Sequence, residues 1–144
     1  MAVTISIYDS FKEYLGDGTI DLDGHTFKVM LLGNAASFDA GHSVLASVSG
    51  NQIASGSGYA AGGAALTGVS WGQTGGTATF DADDVTWTAS GGAITAYKAA
   101  IYDDTPTSPA DPLVAFIDFG GVQTANDGAQ FKLIWNAAGI FTLS

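Results

Sequence analysis

The chain contains no cysteine, no arginine and a single glutamate, Glu13, among its 144 residues. Lack of cysteine excludes disulfide staples, thiolate zinc ligands and cysteine nucleophiles, and it accords with folding in a reducing cytoplasm. Four lysines stand against 14 acidic residues, a formal net charge of -10. Nucleic-acid binders neutralise phosphates with Lys and Arg, so this balance argues against a DNA or RNA partner and equally against an anionic membrane surface. Charge far from zero keeps a protein dispersed, which is the simplest account of the excess acid. Apolar runs are short: Val29 to Leu32 and Leu113 to Ile117 fall far below the ~20 residues that a membrane helix needs. The segment after Met1 carries no basic region followed by an apolar core, so no export signal is expected.

What is present is apolar and aromatic material, 47% and 11% of the residues, enough for one domain spanning residues 1–144 to close its own core. A single helix is expected near the start. Ile7, Phe11, Tyr14 and Leu15 recur at helical spacing, Ser6 with Asp9 resembles a capping box, and Gly16 is placed to end the helix. Elsewhere the period is two. The stretch Thr77 to Asp103 reads as a central hairpin joined across Ser90-Gly91-Gly92. On its first limb Val85, Trp87 and Ala89 alternate with polar residues, giving one buried and one wetted face. The second limb, Ile94 to Tyr102, is apolar on both faces and therefore expected to be covered on both sides.

Further strands are expected at Thr26 to Leu32, around Leu66, Val69 and Trp71, from Leu113 to Phe119, from Phe131 to Trp135, and from Ile140 to Leu143. Gly72 to Gly76 reads as a turn, and Gly120-Gly121 as the end of a strand. Thr105 to Pro112 holds all three prolines and reads as an exposed loop. Gly33 to Gly63 is small and polar, mostly loop, with one short strand at Val44, Ala46 and Val48. A loop of that length in a compact domain is expected to be functional or pinned by a neighbouring subunit. Seven or eight short strands separated by Gly, Pro, Asn and Asp turns define the class: mainly β, an antiparallel β-sandwich or jelly-roll-like single domain with one short N-terminal helix.

Chemistry-bearing residues are sparse. Asp81, Asp83 and Asp84 form one acidic group and Asp17, Asp21 and Asp23 another. Placing Gly24 at the sixth position of an EF-hand loop puts Met30 where the bidentate Glu belongs, so both groups read as turn and cap aspartates, with no metal site. His25 and His42 lie outside any zinc motif and read as loop residues. Ser57, His42 and Asp39 supply the residue types of a hydrolase triad, but no nucleophile elbow surrounds Ser57. The glycines of residues 56–63 lack a phosphate-loop pattern, and no cofactor is expected. Among the aromatics, Trp87 and Trp135 read as core, while Tyr59 in its glycine loop reads as the exposed ring that could stack on a sugar. These residues point to no enzyme.

Four segments carry a resemblance that spans nearly the whole chain: YDSFKEYLGDGTIDLDGHTFKVMLL at residues 8–32, SGSGYAAGG at 55–63, TFDADDVTWTASGGAITAYKAAIYDD at 79–104 and WNAAGIFTLS at 135–144. In these the chain resembles small virion structural proteins of tailed bacteriophages. The resemblance implies a non-enzymatic, β-rich subunit made in the host cytoplasm and carried in the virion. It points to a capsid decoration (cement) protein bound to the outside of the major capsid lattice, with a tail or head-tail component, or a glycan-binding fibre or tail-tip module, as alternatives. It further implies that the partners are the major capsid protein or other virion proteins, and that the chain forms a homo-oligomer, a trimer. No catalytic residue is carried over by the resemblance.

Overall fold

The structure is a computed structural model that describes residues 3–144. In chain order it has β1 (Thr4–Ile7), α1 (Asp9–Asp17), β2 (Phe27–Leu32), β3 (Ala64–Ala65), β4 (Ser70–Thr74) and β5 (Thr77–Asp81). Then follow β6 (Val85–Thr88), β7 (Ile94–Asp103), β8 (Leu113–Ala125), β9 (Gln130–Leu133) and β10 (Phe141–Leu143). The protein is mainly β, every strand pairing is antiparallel, and α1 is the one α-helix among the described residues. A five-stranded sheet in the order β1-β8-β7-β2-β3 is faced by a three-stranded sheet, β10-β5-β4, and by the ribbon β6-β9. This layering is that of a sandwich.

The expected two-sided cover of Ile94 to Tyr102 has a direct cause. β7 lies in the middle of the large sheet, between β8 and β2, and from Ala99 to Asp103 every residue is buried. Phe27, Val29 and Leu31 share one face of that sheet with Ala99 and Ile101, their neighbours on β7. There Phe27 packs edge-on against Phe80 of β5, with centroids 5.3 Å apart. The opposite face is covered by the segment 33–63. Phe38 packs on Phe116 of β8 and on Tyr8, and Lys98 donates through Nζ to the carbonyls of Asn34 and Ala36.

That segment is irregular but tied to its own chain. Gly33 N–H donates to the Asn51 carbonyl, Ile53 N–H to Leu31, and Leu45 N–H to Asp111. Val48 and Ala36 are buried. Intrachain hydrogen bonds and the burial of Ala36, Val48 and Tyr59 thus anchor the segment to its own sheet, while most of its other residues stay exposed or half-buried. Val44 to Val48 forms no strand, because Leu45–Ser47 closes a 3-10 turn instead.

Other expectations also change. The central hairpin does not exist: β6 pairs with β9, and β7 with β8 and β2. A strand with one wetted face and a strand buried on both sides belong to different layers, so Ser90-Gly91-Gly92 is a link between layers. Ser90 N–H binds the Ser57 carbonyl and Gly91 N–H binds Asp127 Oδ1. The helix starts later than expected. Ser6 and Ile7 belong to β1, Tyr8 is the N-cap and makes no side-chain cap, and Asp9 supplies the acid that the helix dipole favours in the first turn. The helix ends at Gly18, which takes the left-handed C-cap at φ +85°, rather than at Gly16. Gly72 lies inside β4, and the turn shrinks to Gly75-Gly76, both at positive φ, the pair that a two-residue hairpin requires. Gly120-Gly121 does not end its strand, since β8 runs on to Ala125 and pairs with β7 on both sides of a register shift between Ala96 and Lys98. Trp135 lies just beyond β9.

Candidate functional site

The acidic groups engage local backbone and neighbouring loops. Asp21 Oδ1 accepts the N–H groups of Asp23 and Gly24, and Asp17 Oδ1 accepts that of Thr19, whose hydroxyl first and N–H second lower the Asp17 pKa. Asp84 Oδ1 accepts the Trp135 N–H at 3.0 Å, while the Asp83 carbonyl takes the indole Nε1–H at 3.0 Å. Asp83 also receives the Thr67 hydroxyl. These carboxylates fasten the start of β6 to the chain beyond β9. The acid at the head of the ribbon thus has a structural duty that the alternation pattern did not reveal.

Ser57, His42 and Asp39 are not assembled into a triad. His42 Nε2 lies 3.8 Å from Asp39 Oδ2, but its Nδ1 has no hydrogen-bond partner, and Ser57 lies beside Gly92. Tyr59 is not the exposed ring expected of it. It is 3% exposed, packs on Trp87 with centroids 6.0 Å apart, accepts the Leu31 N–H at 3.1 Å and donates to Gln52 Oε1 at 2.9 Å. Burial raises its phenol pKa to about 12. The glycines around it let the backbone pass close to β2 and β6, and that close approach carries the ring inward.

One pair was invisible in the sequence. Asp103, at the end of β7, is 0% exposed and is the one buried polar or charged residue among those described. Its Oδ2 stands 2.6 Å from His25 Nδ1, 78 positions away, and its Oδ1 accepts the Thr105 N–H. Loss of solvent raises its pKa against the opposing pull of His25. Lys28 pairs with the adjacent Asp104 at 3.0 Å. Together the two contacts clamp the start of β2 to the end of β7. Asp103-Asp104 closes a largely apolar strand, which marks the two carboxylates for attention but does not point to His25.

The feature with the character of a binding site is an open groove of about 780 Å³. Its floor comes from the face that β1 shares with β8. Ile5 lies opposite Ile117, and the same alternation places Val3 beside Phe119. Its far wall is the ribbon strand β9 and the residues that follow it, from Gln130 to Asn136. Phe119 and Phe131 join floor and wall, with centroids 6.2 Å apart. Two large apolar side chains stand exposed at the groove, Val3 at 61% and Ile134 at 72%. No carboxylate lines it, and Lys132 is its one charge. On a chain with 14 acidic residues this is a surface free of acid, on which Gln123, Thr124, Gln130, Lys132 and Asn136 stand among the apolar residues. No local pattern announces it, because Val3 and Ile5 lie in β1 and its approach while Ile134 follows β9, far away in the chain.

No family model, no curated protein and no solved structure matches this chain.

Proposed function

We propose that this chain is a non-enzymatic structural subunit of a tailed-phage virion, a capsid decoration (cement) protein bound to the outside of the major capsid lattice. The observation that carries an assembly role is the groove: an open hollow without carboxylates, flanked by the exposed Val3 and Ile134, on a domain of net charge -10. The place on the particle rests on the resemblance of the four segments. An acidic exterior suits a subunit that must not adhere to the genome being packaged. The homo-oligomer, a trimer, belongs to the same proposal. A glycan-binding role loses the residue that motivated it, since Tyr59 is buried.

Quantitative protein composition of purified particles tests this reading. A copy number close to that of the major capsid protein is the expected result. A few copies per particle, or recovery with isolated tails alone, would overturn the capsid assignment and establish the tail or head-tail reading in its place.

A further inference from the structure

We propose that the groove takes an extended segment of a different protein, which adds as a third strand to the free edge of β9. The partner segment is apolar at alternate positions and neutral or acidic at its rim. This deepens the assembly role above, on which the identification of the occupant as another protein rests.

The backbone supplies the template. At one end of the ribbon the Ala129 carbonyl accepts the Ala89 N–H, and at the other the Trp135 N–H reaches Asp84 Oδ1, so the odd-numbered backbone positions of this stretch face β6. The bonded positions then recur at Phe131 and Leu133, each facing β6. The N–H and C=O groups of Gln130 and Lys132 point the other way, and β9 has no second neighbour among the described residues. Residues 130–136 line the groove, so this unpaired edge borders it. Unpaired edges are where extended segments add.

The layers supply the space. A two-stranded ribbon lies over a five-stranded sheet and leaves Val3, Ile5 and Ile117 lining open volume. At a rise of about 3.3 Å, a strand spacing of about 4.8 Å and a layer spacing of about 10 Å, one strand residue fills about 160 Å³. A groove of about 780 Å³ therefore holds about five residues of one added strand. Alternate side chains of that strand would cover Val3, which is 61% exposed, and the half-buried Ile5, above the buried Ile117.

Charge selects the occupant. The lining has no carboxylate and one lysine, so a neutral or acidic segment is accepted and a basic one meets Lys132. A second copy offering its own β9 edge would bring a second Lys132 to the same rim, which disfavours that pairing as the occupant.

Synthetic eight-residue peptides of alternating valine and threonine, carrying Asp, Asn or Lys at the central rim position, test the proposal on the purified chain. Binding is read from tryptophan emission, to which Trp135 at the groove contributes, and from slowed amide exchange at Gln130 and Lys132. The Asp peptide is expected to bind about ten-fold more tightly than the Lys peptide at low salt. Lys132→Glu should reverse that order, and Ile134→Asp should abolish binding. Both side chains are exposed, so near-ultraviolet circular dichroism should stay unchanged in either variant. Absence of binding by all three peptides, or binding that neither variant alters, would overturn the proposal. So would sedimentation showing an oligomer that Ile134→Asp dissolves, because a second copy would then fill the groove. Neither result bears on copy number in the particle, so the two proposals fail separately.

Discussion

Trp87→Ala is the sharpest test of how the ribbon is held. Trp87 is 6% exposed on β6, with Tyr59 tilted against it at 6.0 Å and Phe131 edge-on at 6.2 Å. Burying an indole removes about 200 Å² from water, and at about 25 cal/mol per Å² that amounts to about 5 kcal/mol. The alanine methyl retains part of this, while the cavity left beside Tyr59 and Phe131 adds a cost of its own. The expected loss is about 3 to 5 kcal/mol. Urea unfolding followed by far-ultraviolet circular dichroism should show a lower midpoint at an unchanged slope. Trp71 and Trp135 remain as fluorescent reporters. A loss below about 1 kcal/mol, the range of a surface substitution, would refute the assignment of Trp87 to the core. A variant of normal stability that fails only to assemble would instead place β6 at an interface.

Tyr59→Phe should cost about 1 to 3 kcal/mol by urea unfolding, because the buried Leu31 N–H loses its acceptor. The same substitution bears on alkaline stability. The folded pKa of Tyr59 is pushed up to about 12 from an ordinary value of about 10, so its contribution is complete below pH ~10 and is lost as pH rises through about 12. Tyr8 and Tyr102, also raised by burial, act in the same direction. Stability measured from pH 9 to 12 should fall in the wild type and fall less in Tyr59→Phe; an identical slope would refute the buried phenol. Gly63→Ala should be more damaging than a φ of +81° alone explains. The added Cβ would fall 1.8 Å from the Val29 carbonyl oxygen, so β2 must move in addition to about 1–2 kcal/mol of left-handed strain. Gly50→Ala, in open space, is the control. Equal midpoints for the two variants would show that the chain does not approach β2 this closely.

The strands were legible where side chains alternate against a face that is dry on one side and wet on the other. Val85 and Trp87, and Phe131 and Leu133, carry that signature, and the ribbon they build is real. The largely apolar stretch Ile94 to Tyr102 announced a strand covered on both sides, which holds from Ala99 onward, while Thr95 is exposed and Tyr97 and Lys98 are half-buried. Pairing was another matter. Nearness in sequence suggested that β6 and β7 form a hairpin, yet partners are chosen by which layer a strand can bury itself in. That choice depends on Phe80 and on the segment 33–63, both distant in the chain. The helix end moved from Gly16 to Gly18 because either glycine can cap, and the chain beyond turns back to bury Ile20 and Leu22, with the Ile20 N–H on the Tyr14 carbonyl.

The acid excess and the lack of cysteine, arginine and long apolar runs were properties of the sequence alone, since they are sums over residues that folding does not alter. So was the β class, which follows from a side-chain period of two and from glycine-rich punctuation. Only the tertiary structure decided that Tyr59 turns inward, that Asp103 meets His25 across 78 positions, and that Val3, Ile5 and Ile134 border one groove. Each of these depends on two segments brought together by closure of the core, and no local pattern records which distant segment will arrive.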